Sequence, residues 1–144
     1  MLFRSQPLDL RLGKAEFLRW VEGQPGRYEL VEGRVVMMTG GSKNHARVMS
    51  AIAIALGKRL DLSRWAVTVA DLAIDVGESI RYPDVLVEAL DDRGQERSTR
   101  EPIFACEVLS PSSLDTDFDD KPTEYGAMAT LQYYLVAEIG RAHV

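Results

Sequence analysis

The sequence predicts an α+β (mixed α/β) domain in which a mixed central sheet is flanked by helices. Stretches with helical periodicity alternate with short runs typical of strands, and no internal repeat or low-complexity tract interrupts the 144 residues. Hydrophobic residues make up 46% of the chain and charged residues 27%, as in ordinary globular domains. A chain of this length suits one domain. Residues 1–138 are therefore expected to form a single domain built on one sheet.

The N-terminal region is predicted to contain a helix followed by a hairpin. Apolar side chains at helical spacing indicate a helix over about residues 13–22, which the Gly- and Pro-rich segment 23–26 ends. Residues 28–38 are predicted to form a hairpin, because strand-forming side chains flank Glu32 and Gly33, and glycine tolerates the positive φ of a tight turn. The first regular structure is thus expected at about residue 13.

A long amphipathic helix is predicted to begin after Ser42 and to end near Leu60. Serine is a favourable N-cap, and apolar residues follow it at a spacing of four. So broad an apolar face is typical of a helix packed on a sheet. His45 lies on that face, where two roles stay open: a partly buried structural histidine, which the pattern favours slightly, or a contact with substrate.

The second half of the chain is predicted to contain more strands and one short helix. A bend is expected at Ala70-Asp71, and Pro83 is expected at the start of a strand, where its missing donor is tolerated. The predicted elements are strands at 65–76, 82–90 and 103–109, a helix at 121–128 and a strand at 131–136.

The polar segment 91–101 is expected to be a solvated loop. Two interpretations of its arginines stay open: contact with a phosphate backbone, or ion pairs with acidic neighbours. The arginines are Arg93, Arg97 and Arg100, and their acidic neighbours are Asp91, Asp92 and Glu96.

Charge and cysteine content exclude several classes of protein. The 17 Lys and Arg against 22 Asp and Glu give a net charge of −5, which argues against a general nucleic-acid coat but not against a metal-dependent enzyme acting on nucleic acid. No apolar run approaches the roughly 20 residues of a membrane span, and the N-terminus has no signal-peptide core. The one cysteine, Cys106, fits a reducing compartment. A cytoplasmic protein without membrane contact is expected.

Two carboxylates at predicted strand ends are the informative residues for chemistry. Asp84 follows Pro83, and Glu107 lies inside an otherwise apolar strand. A buried carboxylate is unfavourable unless a metal ion or an ammonium group compensates it. Two carboxylates from adjacent strands can hold one hard divalent cation, with water and a substrate phosphate as further ligands.

Lys121 is one of only four lysines, beside 13 arginines, and it begins the helix that follows the Glu107 strand. From there it could return to the strand end and orient or activate an attacking water. Simpler interpretations stay open as well: a turn cap for Asp84, a structural ion pair between Glu107 and either Arg81 or Lys121, and a solvated position for Lys121.

This pattern resembles the PD-(D/E)XK nuclease superfamily, and within it the Uma-type (Uma-two) family of restriction endonucleases. The likeness covers about residues 12–138, and its most specific part is the stretch from Glu107 to Lys121. The matching segments are RYELVEG at 27–33, RYPDV at 81–85, CEVLSPSS at 106–113 and LQYYLV at 131–136, together with His45, Asp117, Lys121 and Tyr125.

The resemblance implies a restriction-endonuclease-like core that hydrolyses DNA phosphodiester bonds. It implies Asp84 and Glu107 as ligands of Mg²⁺, for which Mn²⁺ can substitute, and Lys121 as the catalytic lysine. The superfamily motif has its lysine two residues after the glutamate, where this chain has Leu109, so that role falls to Lys121. Phe118 is a second departure, since relatives tend to carry arginine there.

Further expectations accompany the resemblance. Glu32 and His45 are candidate supporting residues. Glu29 is a third candidate for supporting the metal, although a surface role is favoured for both glutamates. The expected partner is DNA, contacted through its phosphates, and a homodimer would suit cleavage of both strands. The alternative is a catalytically inactive homologue that binds nucleic acid or protein.

The last six residues, 139–144, are expected to be a non-native tail. Their sequence, IGRAHV, corresponds to one translation frame of a common sequencing adapter, and relatives continue with further sheet. A truncated C-terminus and a longer natural chain are therefore expected.

Overall fold

A computed structural model describes residues 7–38, 40–109 and 121–139. Within these ranges helices and strands are mixed along the chain, which confirms the predicted α+β class. In chain order the elements are β1 (Pro7–Arg11), α1 (Lys14–Val21), β2 (Arg27–Val31), β3 (Arg34–Met38), α2 (Lys43–Arg59), β4 (Trp65–Val69), β5 (Ala73–Val76), β6 (Ser79–Arg81), β7 (Val85–Ala89), β8 (Ser98–Thr99), β9 (Pro102–Leu109), α3 (Lys121–Gly126) and β10 (Tyr133–Glu138).

The strands form two sheets, so the expectation of one sheet is wrong. One sheet has six strands in the order β1-β3-β2-β6-β5-β8, and the other has four in the order β10-β9-β7-β4. The predicted strand 65–76 is divided at Ala70, whose φ of 62° turns the chain, and its halves β4 and β5 lie in different sheets. Residues 79–89 are divided in the same way, into β6 and β7, on either side of residues 82–84.

The predicted hairpin, N-cap and helices of the N-terminal half are confirmed, but the expectation that regular structure begins at about residue 13 is wrong, because β1 begins at Pro7. The β2–β3 hairpin turns at Glu32 and Gly33, whose φ angles are 49° and 84°. Ser42 caps α2, because its Oγ accepts a hydrogen bond from the backbone N–H of His45 at 3.1 Å. Strand β1 was not predicted, although the alternation of Leu8 and Leu10 around a polar residue is typical of a strand.

Most of β7 and β9 is buried, so Glu107, which lies within β9, is a charged group in the core. Leu86 and Ala105 pack in one hydrophobic cluster with Tyr125 of α3. Val85 and Cys106 pack in another, beneath the apolar face of α2. Cys106 is therefore a buried small side chain, and its burial, with two nearby carboxylates, raises the pKa of the thiol to about 12.

The C-terminal part of the described chain completes the four-stranded sheet. β10 runs parallel to β9, and the N–H of Ile139 donates to the carbonyl of Leu109 at 3.0 Å. Residues 140–144 of the predicted tail lie outside the described residues, as do Asp117 and Phe118, so the predictions for them stay predictions. None of the helices in the described ranges is long and apolar enough to cross a bilayer.

Candidate active site

The antiparallel pair of β7 and β9 places Asp84 beside the segment that carries Glu107. Val85 lies opposite Cys106, and the N–H of Asp84 donates to the carbonyl of Cys106 at 2.9 Å. The carboxylate of Asp84 turns back to accept the N–H of Val108 at 2.7 Å. Asp84 is thus fixed through backbone contacts on both sides of Glu107, with its side chain 13% exposed.

Glu107 and Lys121 form a buried ion pair. The Nζ of Lys121 lies 3.3 Å from the Oε1 of Glu107, and both side chains are almost fully buried. Tyr125, one helical turn after Lys121 on α3, donates its hydroxyl to the same oxygen at 3.3 Å. Burial, and then the nearby carboxylates, raise the pKa of that hydroxyl, which keeps its proton in the bond to Glu107. The structure therefore brings Lys121 to the Glu107 strand, and Leu109 is buried without taking part.

Glu29 and Arg81 extend this pair into a larger network. Glu29 lies on β2, where its Oε1 accepts the N–H of Tyr82 at 2.9 Å and stands 3.8 Å from the Nζ of Lys121. Its Oε2 lies 3.4 Å from a guanidinium nitrogen of Arg81. Arg81 also donates to both carboxylate oxygens of Glu124 on α3. Burial acts to lower the pKa of Arg81, but Glu124 and Glu29 outweigh it and raise the pKa above its ordinary value.

The surface role favoured for Glu29 is therefore wrong, since the residue is buried at 5% exposure. Arg81 was considered as a partner of Glu107, and the structure pairs it with Glu29 and Glu124 instead. Two signals in the sequence could have found this network. Glu29 lies in the middle of an apolar strand, and Glu124 follows Lys121 at the i+3 spacing that places both on one side of a helix.

The two supporting candidates have different positions. His45 lies against Asp84, with its Nε2 3.5 Å from Oδ2 and its side chain 19% exposed. The hydrogen bond to Asp84 raises the pKa of His45, against the opposing effects of burial and of Arg27. Glu32 occupies the exposed β2–β3 turn, where its backbone N–H donates to the Oγ of Ser79 at 3.0 Å. Among the described contacts, none joins the Glu32 carboxylate to the other candidates.

The donor chemistry of the site fits a hard divalent cation. No group of three or more His, Cys, Asp or Glu side chains in the described ranges stands in a metal-binding arrangement. Mg²⁺, however, is commonly held by one or two carboxylates and keeps several waters. Among the described residues of this site, there are also more carboxylates than permanently charged cations. The groups concerned are Asp84, Glu107, Glu29 and Glu124 against Lys121 and Arg81.

A cleft of about 800 Å³ lies between residues of both sheets. Its lining includes Tyr28, Tyr82 and two loop arginines, but neither Asp84 nor Lys121. All three loop arginines have acidic partners, but only Arg93 pairs with residues that the ion-pair interpretation named, Asp91 and Glu96, whereas Arg97 and Arg100 pair with acidic residues outside the loop. The pairs are Arg93 with Asp91, Glu96 and Glu101, Arg97 with Glu22, and Arg100 with Asp75.

A family model and curated proteins match this chain. The model of the Uma2 family, described as "putative restriction endonuclease", matches residues 15–144. The chain is 32% identical over 131 residues to the uncharacterized protein slr1290 of Synechocystis sp., covering 88% of this chain and 68% of that protein. It is 28% identical over 132 residues to the uncharacterized protein sll1609 of the same organism, covering 88% of this chain and 75% of that protein.

A solved structure shares the fold. The crystal structure of a putative nuclease belonging to DUF820 from Anabaena variabilis matches with a TM-score of 0.61 and 16% sequence identity. The match covers 88% of this chain and 74% of that chain. At this level of identity the likeness concerns the fold alone, and it agrees with the mixed α+β architecture that the sequence predicted.

Proposed function

The chain belongs to the Uma2 family, whose description is "putative restriction endonuclease", and from this premise we propose that it is a Mg²⁺-dependent endonuclease that hydrolyses phosphodiester bonds of DNA. The observation that carries the proposal is the buried contact of 3.3 Å between Lys121 and Glu107, on a strand paired with the segment of Asp84. An acidic pair and one ammonium group in the core are an arrangement suited to metal-assisted hydrolysis.

Each residue would have a distinct part in this reaction. Asp84 and Glu107 would hold Mg²⁺ or Mn²⁺, which when bound lowers the pKa of a water ligand and neutralises charge on the phosphoryl group. Lys121 would donate a hydrogen bond that orients the attacking water. Tyr125 and the N–H of Val108 keep the two carboxylates in place, by contacts of 3.3 Å and 2.7 Å. His45 stands beside Asp84 and would limit the movement of its carboxylate.

A second candidate function is a non-catalytic homologue that binds nucleic acid or protein. The observation in its favour is that Glu107 already has Lys121 and Tyr125 as partners, so a structural ion pair can stabilise the site without metal. The two candidates differ in one property that is simple to measure. A carboxylate pair that serves a nuclease binds Mn²⁺, whereas a pair that is only structural does not.

The expected partners belong to the same proposal, whereas the location is a separate prediction. The DNA would be held through its phosphates, since no described element is a recognised base-reading module. Cleavage of both strands would be served by a homodimer with two-fold symmetry. The cytoplasmic location stays a prediction based on the one free cysteine.

The test compares the wild-type protein with Asp84→Ala on supercoiled and linear DNA, with Mg²⁺, Mn²⁺ or EDTA. Asp92→Ala is the matched control, because this carboxylate lies in an exposed loop. Cleavage is expected from the wild type and the control only with metal, and Asp84→Ala is expected to lose both cleavage and Mn²⁺ binding measured by calorimetry.

The outcomes separate the two candidates. Equal cleavage by wild type and Asp84→Ala would show that the nuclease activity has another source. A wild-type protein that neither cleaves DNA nor binds Mn²⁺ would support the non-catalytic homologue.

A further inference from the structure

Lys121 lies between carboxylates contributed by the two different sheets. Glu107 comes from β9 of the four-stranded sheet, and Glu29 comes from β2 of the six-stranded sheet. We propose that Glu29 is a positioning residue, which holds the ammonium group of Lys121 at the place where it can orient the attacking water. This inference rests on the proposed nuclease function and adds a residue from the second sheet to the site.

Glu29 is well suited to position another group because it is itself fixed. Its Oε1 accepts the backbone N–H of Tyr82 at 2.9 Å, and its Oε2 faces Arg81 at 3.4 Å. Both of its oxygens are therefore engaged by groups of β6 and of the residue that follows it. A carboxylate held in this way acts as a stationary negative charge rather than as a free metal ligand.

Arg81 connects α3, the helix that carries Lys121, to Glu29. Its guanidinium contacts Glu29 of β2 and Glu124 of α3, and its side chain is only 3% exposed. Helix α3 has six residues, and so short a helix takes its orientation from tertiary contacts rather than from its own hydrogen bonds. Helix α3 is therefore linked to β2 twice, directly by Lys121 with Glu29 and indirectly through Arg81 of β6, which contacts both Glu124 and Glu29.

Lysine needs such support more than most residues. Its charge sits at the end of four rotatable carbons, and a single partner allows that chain several arrangements. At 3.3 Å from Glu107 and 3.8 Å from Glu29, the ammonium group is attracted from two directions. The longer distance indicates an electrostatic attraction by Glu29 rather than a short hydrogen bond. Fixing a reacting group in this way lowers the entropy lost when the transition state forms.

The first arm of the test observes the ammonium group directly, without any assay of activity. The chain has four lysines, and Lys43 and Lys58 are exposed, so the NMR spectrum of ¹⁵N-lysine-labelled protein at one fixed pH is simple to assign with a Lys121→Gln variant. A buried ammonium held by two carboxylates is expected to exchange slowly and give a sharp signal. The Lys121 signal is expected to be lost in Glu29→Gln and retained in Glu78→Gln, a control in an exposed turn.

Glu29→Asp is the second variant, because it keeps a negative charge in the core beside Arg81, while the shorter side chain moves the carboxylate back from Lys121 and from Arg81 alike. It is expected to lose the Lys121 signal as well. Thermal unfolding of each variant shows that the comparison is made on folded protein. A Lys121 signal that is unchanged in both Glu29 variants would overturn the inference.

The second arm measures DNA cleavage with Mn²⁺. Glu29→Gln is expected to lower kcat by about 10²-fold, while the KM for DNA and the affinity for Mn²⁺ stay as in the wild type. A purely structural role would instead change all three together or none. If the wild type fails to cleave, the proposed function is refuted, and the NMR arm still decides whether Glu29 holds Lys121. If the wild type cleaves and Glu29→Gln cleaves equally well, the positioning role is refuted alone.

Discussion

Two groups of ion pairs in this protein have similar distances and very different surroundings. The central network consists of Glu29, Arg81, Glu107, Lys121 and Glu124, whose side chains are between 3% and 14% exposed. The loop network joins Arg93 to Asp91, Glu96 and Glu101, whose side chains are between 32% and 63% exposed. Contacts in the loop span 2.7 to 3.9 Å, and Lys121 lies 3.3 and 3.8 Å from its two partners.

The difference teaches that distance alone says little about what an ion pair does. Water screens exposed charges, and holding two long side chains together offsets most of the remaining attraction. In the core the attraction is stronger, but each charge has also lost its hydration, so a partner that is removed leaves an uncompensated charge behind. The central network should therefore be sensitive to single substitutions, and the loop network should not.

The largest effect is expected from Arg81→Met. The substitution leaves Glu29 without its guanidinium partner and Glu124 without both of its hydrogen bonds, so the free energy of unfolding should fall by about 3–5 kcal/mol. Urea unfolding followed by circular dichroism measures this change. A triple variant that adds Glu29→Gln and Glu124→Gln should recover part of the loss, because it removes the uncompensated charges. If Arg81→Met lowers the free energy of unfolding by less than about 1 kcal/mol, the buried network is no more sensitive to substitution than the exposed one.

An intermediate effect is expected from Asp75→Asn, at the half-buried site where Asp75 meets Lys14 at 2.7 Å and Arg100 at 2.9 Å. Burial acts to raise the pKa of Asp75, but the hydrogen bonds from Lys14 and Arg100 outweigh it and lower the pKa below its ordinary value. A lowered pKa contributes stability above the unfolded-state pKa of about 3.9, and this contribution is lost as the pH falls through the folded-state value.

Asp75→Asn should therefore lower the free energy of unfolding by about 1 kcal/mol at pH 7, and the difference from wild type should shrink below about pH 4. Unfolding curves across this pH range measure it. Asp9→Asn, at an exposed position of β1, is the matched control and should leave the free energy of unfolding at pH 7 within the error of the measurement. A difference that persists unchanged at low pH would show that the carboxylate charge of Asp75 is not what stabilises the fold.

The smallest effect is expected from Arg93→Ala. Three acidic partners surround this arginine, yet all of the pairs are exposed, so the midpoint of thermal unfolding should stay within the error of the measurement. A clear fall in the midpoint that salt suppresses would show that the loop network acts cooperatively, and would weaken the contrast with the central network.

Much of the local structure could be predicted because it depends on residues close in the sequence. The turn at Glu32 and Gly33, the Ser42 cap and the apolar face of α2 all follow from short-range rules. The position of Glu107 in an apolar strand likewise indicated a carboxylate that needs a partner. The division of residues 65–76 between two sheets could not be predicted, because alternation identifies a strand but not the strands it pairs with.

The candidate site likewise combines features that depend on nearby residues with contacts between residues that are far apart in the sequence. The sequence by itself determined that Asp84 precedes one core strand, that Glu107 lies inside another and that Lys121 begins the next helix. Only the tertiary structure decided that Glu29 approaches Lys121 and that Arg81 joins β2 to α3. Arg81 is 52 residues from Glu29 and 43 from Glu124 in the sequence. Periodicity reports which face a side chain occupies, whereas contacts over such separations depend on how the two sheets and α3 pack together.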